Sequence, residues 1–208
     1  MSGLFSDNPN ICKSCALFEK ECQCAQAIQI PLEHRVTLIT THPESMIRSN
    51  TGRLLTLRLS NMRTIFLGKR GWEDEVIEEK TNNLYFPVLL FPSPGSLPAA
   101  ELVEKEGKPL NIFIFDSSWR SARKWISKTI FHDLKKVELK KTYESRYYLR
   151  VNPNQNYLCT FQSLTCLLSE VDVRLEPVAK DMMKTMDYVV KCMAKERNQE
   201  YIIDGEVF

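Results

Sequence analysis

The amino-acid sequence predicts an α/β fold in which helices flank a mostly parallel sheet, with a small four-cysteine module at the N-terminus. Short runs rich in β-branched and aromatic residues alternate with helical patterns, as in βαβ units. One of these runs, residues 111–115, is apolar on both faces, as a central parallel strand should be. We expect the module in residues 1–30 and the α/β domain in residues 31–208.

Composition places the chain among ordinary globular proteins. Its 208 residues can bury a core without disulfides, and 43% hydrophobic with 26% charged residues excludes a disordered or fibrous chain. No apolar run approaches the ~20 residues of a membrane-spanning helix. The first residues lack the basic segment followed by an apolar segment that is typical of a secretory signal, so we expect a cytoplasmic protein. We expect a monomer, although the sequence does not determine the oligomeric state.

Cysteine spacing is the sharpest local signal. The pairs Cys12–Cys15 and Cys22–Cys24 have C-x2-C and C-x-C spacing, and two such pairs can surround one zinc ion tetrahedrally. A cytosolic setting disfavours disulfides, and a redox C-x-x-C normally lies in a thioredoxin-like βα unit. An iron–sulfur cluster also takes four cysteines and stays open as an alternative. We predict a closed, structural zinc site.

The first half of the α/β region begins with a β-branched run at 35–40, which predicts the first strand. Asn-Thr-Gly at 50–52 predicts the start of a helix with leucines on one face. Residues 64–67 predict a second strand, and the acidic residues 73–79 an exposed helical turn or loop. Residues 88–96 predict a third strand followed by a loop, because Pro-Ser-Pro-Gly interrupts any regular element.

The second half repeats the alternation. Residues 98–106 suit a short helix, 111–115 the fourth strand, and 136–139 a fifth. Residues 160–171 carry apolar side chains at helical spacing. Residues 177–197 predict a longer helix with proline near its start and a methionine-rich face that we assign to the core.

Ligands of open α/β sheets bind at the carboxyl ends of the strands, here the turns after Thr40, Phe91 and Phe115. The chain has neither G-x-G-x-x-G nor G-x-x-x-x-G-K-[ST], so no standard dinucleotide or P-loop site is indicated. Asp116 follows the fourth strand directly, where it is either a catalytic group or a simple helix cap.

The predicted helix at 118–130 is divided into two faces. Five apolar residues share one side: Trp119, Ala122, Trp125, Ile126 and Ile130. Four basic residues share the other: Arg120, Arg123, Lys124 and Lys128. Residues 119–150 contain ten lysines and arginines but three acidic residues, whereas the whole chain has a net charge of +2. This block is either a surface for a polyanion or a solvated face.

Five segments together resemble the DTW-domain family, the tRNA-uridine aminocarboxypropyltransferases. Residues 116–119, Asp-Ser-Ser-Trp, are similar to the name motif Asp-x-Thr-Trp. The other segments are His42-Pro43-Glu44 with Arg48 and the Asn-Thr-Gly-Arg sequence at 50–53, Leu-Leu-Phe-Pro-Ser-Pro-Gly at 89–95, Arg150 with Leu-Cys-Thr at 158–160, and the four cysteines. The resemblance covers residues 12–195. Ser118 replaces the motif threonine, and Gln162 replaces an acidic residue.

The resemblance implies a SPOUT-like fold with a trefoil knot. It also implies S-adenosylmethionine as donor, whose 3-amino-3-carboxypropyl group is transferred to N3 of a uridine in tRNA with release of methylthioadenosine. Asp116 is the expected general base. The donor is expected against Phe91, Pro92, Ser93, Ser117, Ser118, Trp119, Leu158, Cys159 and Thr160.

RNA contacts are expected from the basic helix face and from residues of the other segments. The full expected set is Arg48, Asn50, Thr51, Arg53, Arg120, Arg123, Lys124, Lys128 and Arg150. Arg53 and Arg150 are equal candidates for the donor carboxylate, and Tyr143, Tyr147 and Tyr148 are candidate base-stacking groups. Two alternatives remain: a SPOUT-type RNA methyltransferase and a non-catalytic, zinc-containing RNA-binding module.

Overall fold

The computed structural model describes residues 8–150 and 156–198, together with the backbone of two short terminal strands. The strands are β1 (Arg35–Thr41), β2 (Met62–Leu67), β3 (Phe86–Leu90), β4 (Leu97–Pro98), β5 (Leu110–Asp116), β6 (Lys135–Glu138), β7 (Ile202–Ile203) and β8 (Glu206–Val207). The α-helices are α1 (His42–Ser45), α2 (Gly52–Arg58), α3 (Trp72–Thr81), α4 (Ala99–Glu106), α5 (Trp119–Ile126), α6 (Thr160–Val171) and α7 (Glu176–Glu196).

Six strands form one parallel sheet in the order β2-β1-β5-β3-β6-β4. The predicted α/β class with a mostly parallel sheet is confirmed. Strand β5, predicted as central from its two apolar faces, lies between β1 and β3, and every one of its residues is buried. Burial on both faces explains why this strand lacks the polar alternation of a half-exposed strand.

Helices cover both faces of the sheet. On one face, Ile112 and Ile114 of β5 belong to a core with α2, α4, α6 and α7; on the other, Phe113 and Phe115 pack with residues of α3 and α5. Because side chains alternate along a strand, Asp116 points to the first face, where α2 and α6 begin. The methionine-rich side of α7 is buried there, as predicted.

Two helices differ from their predicted form. The basic helix ends at Ile126 rather than Ile130, and Lys128 is extended before a short 3-10 turn at Thr129–Phe131. The Ser127 hydroxyl donates to the Lys124 carbonyl at 2.8 Å just after the helix end. The acidic stretch expected to be exposed is the ten-residue helix α3, in which Val76 and Glu79 are buried.

Glu79 is buried because it joins strands at the amino edge of the sheet. Its carboxylate accepts two hydrogen bonds from Arg35, at 2.6 and 2.8 Å, and one from Asn111 at 3.1 Å. Desolvation by burial raises the pKa of Glu79, whereas the hydrogen bond and charge of Arg35 lower it. The net shift of the pKa is downward. Glu79 is therefore a structural residue held in an ion pair, and it lies near the amino ends of the strands, away from their carboxyl ends.

Within the described residues, no helix is long and apolar enough to cross a membrane.

Candidate active site

A cavity of about 780 Å³ opens at the carboxyl edge of the sheet. The ends of β3, β5 and β6, the segment before α2 and the start of α6 supply its walls. Its volume is in the range of small-molecule sites, and its position is where ligands of parallel α/β sheets bind.

Asp116 lies at the floor of this cavity, with 3% of its surface exposed. Its carboxylate Oδ2 accepts a 2.6 Å hydrogen bond from Asn50 Nδ2 and a 3.3 Å bond from the Thr40 hydroxyl. Thr40 is there because its Cα pairs with that of Asp116 in the β1–β5 register. These bonds orient the carboxylate.

Gly52 allows this close packing at the first residue of α2. A Cβ at this position would lie 2.6 Å from Asp116 Oδ1 and closer still to the carboxyl carbon. No such contact is tolerated, because real Cβ atoms do not approach other heavy atoms so closely. Glycine is therefore required by space here, and the Asn-Thr-Gly segment and Asp116 form one unit.

Burial raises the pKa of Asp116, because desolvation disfavours the charged form. Hydrogen bonds from Asn50 and Thr160 lower this pKa in part, while the nearby Glu44 carboxylate raises it. The result is a carboxylate more basic than an exposed aspartate. A base with a pKa nearer neutrality is a better proton acceptor at cellular pH.

Charged and polar groups line one part of the cavity beside Asp116. Thr41, at the end of β1, caps α1 by accepting a 3.3 Å bond from the Glu44 N–H, and this turn brings Glu44 to the cavity. Arg150 donates from Nη1 to Glu44 Oε1 at 2.9 Å and from Nε to Ser49 Oγ at 3.1 Å. Among the described residues, nothing accepts a hydrogen bond from the buried Nη2 of Arg150.

Aromatic and apolar groups form another wall. Trp119 stacks on Tyr157 with ring centroids 4.4 Å apart and lies 5.4 Å from the ring of Phe91. Pro92 and Leu158 also line the cavity. Such surfaces suit a flat heteroaromatic ring.

The structure brings most of the predicted donor-site residues to this one cavity. Lining it are Phe91, Pro92, Ser117, Ser118, Trp119, Leu158, Cys159 and Thr160. Ser93 does not line it; in the loop after β3 its N–H donates to the Ser96 hydroxyl and its carbonyl accepts from the same hydroxyl. Asn50, Thr51, Arg120, Arg123 and Arg150 of the predicted RNA-binding set also line the cavity.

Arg48 and Arg53 lie outside the cavity lining and hold the polypeptide locally. Arg53 donates from Nη2 to the carbonyl oxygens of Ser45 and Ile47, both at 2.6 Å. Arg48 donates to the Ala16 carbonyl at 3.0 Å and pairs with Glu196. Of the two arginines equally eligible from sequence for a donor carboxylate, only Arg150 reaches the cavity.

The basic face of α5 stays uncompensated. Arg120, Arg123 and Lys124 are exposed, as is Lys128 beyond the helix end, and none of them pairs with a carboxylate of the described residues. Elsewhere in the basic block, Lys135 and Arg146 do pair with acidic residues. Lys140 and Lys141 after β6 are also exposed and make no ion pair with the described residues, so the positive surface comprises the basic face of α5 together with these two lysines.

The three tyrosines predicted near RNA differ in exposure. Tyr147 is buried and donates its hydroxyl to the Ser49 carbonyl, so it supports the loop that carries Arg150. Tyr143 is half-buried against Glu170 at 3.0 Å. Tyr148 is 51% exposed. Tyr148 therefore keeps its ring open for stacking.

The glutamine at position 162, where the family motif has an acidic residue, has a structural explanation. Its side-chain oxygen accepts from the Arg146 N–H at 3.0 Å and its nitrogen donates to the Glu144 carbonyl at 2.7 Å. A carboxylate could accept the first bond but could not donate the second. Gln162 is buried and does not line the cavity. The absence of a carboxylate at this position therefore removes no charge from the cavity surface.

The four N-terminal cysteines form a metal-binding geometry, with all four sulfur atoms within 4.8 Å of one another. The Cys12–Cys24 and Cys15–Cys22 sulfur pairs are each 3.8 Å apart. Four thiolates around one zinc ion at about 2.3 Å are about 3.8 Å apart, so the donor set fits. Burial raises the pKa of Cys12, but hydrogen bonds from the N–H groups of Cys15 and Ser14 and from the Cys22 and Cys15 thiols together outweigh burial, and the pKa is lowered to about 7.

The cysteine loop is packed onto the α/β core. Cys15, Ala16 and Leu17 belong to the same buried cluster as α7, and Tyr188 of α7 donates to the Glu21 carbonyl at 2.9 Å. The predicted domain division at residue 30 stays a prediction.

Sequence reasoning assigned no role to several cavity residues. Thr40 and Glu44 were within named segments but carried no distinctive signal of their own. Ser49 lines the cavity, as do Glu138, Leu139, Lys141 and Thr142 at and after the end of β6, and Tyr157 stacks on Trp119. Strand pairing could have indicated Thr40, because it ends β1 beside the strand that ends in Asp116.

Comparison with known proteins shows similarity to a protein family and to a named protein. The sequence model of the DTW domain matches residues 9–195. A Drosophila melanogaster protein named tRNA-uridine aminocarboxypropyltransferase 2 is 28% identical over 184 residues, which cover 84% of this chain and 72% of that protein. No solved structure matches the chain.

Proposed function

Because this chain belongs to the DTW domain family, we propose that it modifies tRNA by transferring a 3-amino-3-carboxypropyl group from S-adenosylmethionine to N3 of a uridine. The observation that carries the proposal is the environment of Asp116. This buried carboxylate has a raised pKa, is oriented by Asn50 and Thr40, and lies at the base of a cavity with polar and aromatic walls.

Asp116 would act as the general base. Uracil N3 carries a weakly acidic proton, which moves to the Asp116 carboxylate as N3 attacks the γ-carbon of the donor. The N3–carbon bond forms, and the carbon–sulfur bond breaks with its electron pair on sulfur. The sulfonium becomes a neutral thioether, methylthioadenosine, so the leaving group needs no proton. Alignment of N3 with the carbon–sulfur bond supplies the rest of the rate enhancement.

The walls of the cavity suit the two substrates. The adenosine part of the donor would pack against Phe91, Pro92 and Leu158, where apolar side chains meet. Trp119 and Tyr157 offer a stacked pair on which the uracil or the adenine ring can lie. The tRNA phosphates would meet the basic face of α5, whose Arg120 and Arg123 also line the cavity.

The cysteine cluster would hold one zinc ion through Cys12, Cys15, Cys22 and Cys24. Four thiolates close the coordination sphere, so the ion would stabilise the fold and leave no position for a substrate. The loop packs on α7, which is consistent with a structural role.

The test is a reconstitution with the purified chain, S-adenosylmethionine and tRNA transcribed without modifications. After digestion to nucleosides, mass spectrometry should find aminocarboxypropyl-uridine, and methylthioadenosine should appear in equal amount. Methyluridine with S-adenosylhomocysteine would instead identify a SPOUT-type methyltransferase. RNA binding with neither product nor donor binding would identify a non-catalytic RNA-binding protein.

Replacing Arg123 and Lys124 together with alanine should weaken tRNA binding. Both side chains are exposed and lack an acidic partner in the described structure, so the apolar core is left intact. The salt dependence of binding should flatten by roughly one unit of log–log slope per lost phosphate contact. Filter binding or fluorescence anisotropy across a salt series measures both effects.

A matched control changes Lys105 and Lys108 to alanine. These are also exposed lysines, but they lie at the end of α4 and before β5, at the opposite edge of the sheet. The control should bind tRNA as the parent does. If the Arg123 and Lys124 variant also binds like the parent at every salt concentration, RNA does not contact this face.

A further inference from the structure

We propose that Glu44 and Arg150 form a subsite for the α-amino-acid end of the donor, with Arg150 binding its carboxylate and Glu44 its ammonium group. This inference rests on the proposed function, since it assigns the part of the same cavity that holds the group to be transferred. It also assigns the donor carboxylate to Arg150 rather than to Arg53, a choice that the sequence left open.

The unused hydrogen-bonding capacity of Arg150 points to an anion. Its Nη1 and Nε are bonded to Glu44 and Ser49, but Nη2 is buried and meets no acceptor in the described part of the chain. A buried donor without a partner loses free energy, so such a group is expected to meet its acceptor when a ligand binds. A carboxylate is the usual planar partner of a guanidinium.

Glu44 has the matching capacity for a cation. Oε1 accepts from Arg150 at 2.9 Å and from Asn50 at 3.5 Å, whereas Oε2 accepts no hydrogen bond from the described residues. Glu44 lines the cavity, so Oε2 is available to an ammonium group there. A buried donor without an acceptor and a carboxylate oxygen without a donor thus belong to one ion pair, which is the pattern that a zwitterion can satisfy.

The subsite lies beside the proposed base. Asn50 Nδ2 contacts both carboxylates, at 2.6 Å from Asp116 Oδ2 and 3.5 Å from Glu44 Oε1. In S-adenosylmethionine the γ-carbon is two bonds from the α-carbon that carries the ammonium and carboxylate groups. Holding the α-carbon here would put the γ-carbon, rather than the methyl group, next to Asp116. The subsite would therefore select which group is transferred.

The charges are complementary. The Glu44–Arg150 ion pair is neutral overall and offers one charge of each sign, as does the amino-acid end of the donor with its ammonium and carboxylate groups. Arg53 cannot take the place of Arg150, because its guanidinium is held by the carbonyl oxygens of Ser45, Ile47 and Asn50 outside the cavity lining.

The test compares donor analogues by calorimetry. The parent should bind S-adenosylmethionine about 10- to 100-fold more tightly than decarboxylated S-adenosylmethionine or its deaminated analogue, as expected for one lost charge-assisted contact each. Arg150→Gln should lose the preference over the decarboxylated form and keep its affinity for that form. Glu44→Gln should lose the preference over the deaminated form. Lys184→Gln, at an exposed position of α7, is the charge-matched control and should keep both preferences.

Retained affinity for the decarboxylated donor also shows that Arg150→Gln is folded. Equal weakening of both donors in this variant would overturn the subsite and assign Arg150 a purely structural role. A parent that forms aminocarboxypropyl-uridine but does not discriminate among the analogues also overturns the subsite and leaves the proposed function standing. A parent that discriminates as expected but transfers a methyl group overturns the proposed reaction and the selection of the transferred group by the subsite, and leaves only the binding of the amino-acid end standing.

Discussion

Replacing Asp116 with asparagine should lower the turnover number by about two to four orders of magnitude, the usual contribution of a general base. The change is nearly isosteric. Asparagine retains an oxygen that can accept from Asn50 and Thr40, which now bond the carboxylate at 2.6 and 3.3 Å, but it cannot take the uracil proton. Nucleoside mass spectrometry under single-turnover conditions measures the rate, and calorimetry measures donor affinity, which should change little.

The stability of this variant separates a base from a helix cap. Burial raises the pKa of Asp116, so the ionised carboxylate is less stable in the folded chain than in the unfolded chain. Above the unfolded pKa this ionisation therefore opposes folding, and the neutral asparagine should unfold at the same temperature or a higher one. A large loss of stability at near-parent turnover would make Asp116 a structural residue only.

Gly52→Ala tests the placement of the Asp116 carboxylate while Asp116 itself is retained. The added Cβ would overlap the carboxylate, 2.6 Å from Oδ1, so either the side chain of Asp116 or the start of α2 must move. Activity should fall here too, because an activity that depends on a placed carboxylate is sensitive to displacements of about 1 Å. Activity near that of the parent would mean that the position of the carboxylate is unimportant.

The pH dependence follows from the same environment. A base must be deprotonated to act, so the rate of the parent should fall as the pH is lowered through the raised pKa of Asp116. This acidic limb should lie above the range of an exposed aspartate. The asparagine variant should lack the limb.

The central strand and the catalytic candidate could be predicted from sequence because both are local signals. An apolar run without alternation can only be buried on both faces, and a carboxylate directly after it must lie at the carboxyl edge of the sheet. Cysteine spacing is local too, since Cys12, Cys15, Cys22 and Cys24 are near one another along the chain whatever the rest of the fold does.

The polar part of the cavity could not be predicted because it joins residues far apart in sequence. Glu44 and Arg150 are 106 positions apart and form a direct ion pair. Arg53 and Arg150 both lie in segments that resemble the family, and only tertiary structure shows that carbonyl oxygens hold the guanidinium of Arg53 while Arg150 lines the cavity. The end of α5 was missed because the apolar stripe continues to Ile130, whereas the backbone becomes extended at Lys128 and Ile130 packs against the core from a 3-10 turn.

Replacing Cys15 with serine should remove the zinc ion and destabilise the whole chain. Serine is a poor zinc ligand, and three remaining thiolates leave the tetrahedral site incomplete. Loss of a structural metal belongs to the substitutions that cost more than about 4 kcal/mol, and 1 kcal/mol shifts the melting temperature of a chain of this size by about 2–4 °C. We therefore expect the parent to contain one zinc per chain by elemental analysis, and the variant to contain none and to melt about 10 °C lower.

Loss of the metal should also lower activity, because one segment of the chain contacts both the cysteine loop and Asp116. Arg48 donates to the Ala16 carbonyl at 3.0 Å and lies 5.2 Å from the ring of Phe18, and two residues further along the chain Asn50 bonds Asp116. When the loop loses its metal, Arg48 loses the Ala16 carbonyl and keeps its ion pair with Glu196, so the segment that carries Asn50 is held less firmly. Activity should then fall even at temperatures where the variant is folded. Cys166→Ser, a buried cysteine of α6 outside the cluster, controls for the loss of a buried sulfur and should keep its zinc. A Cys15→Ser chain that retains zinc, or a chelated parent that melts unchanged, would contradict the structural role of the site.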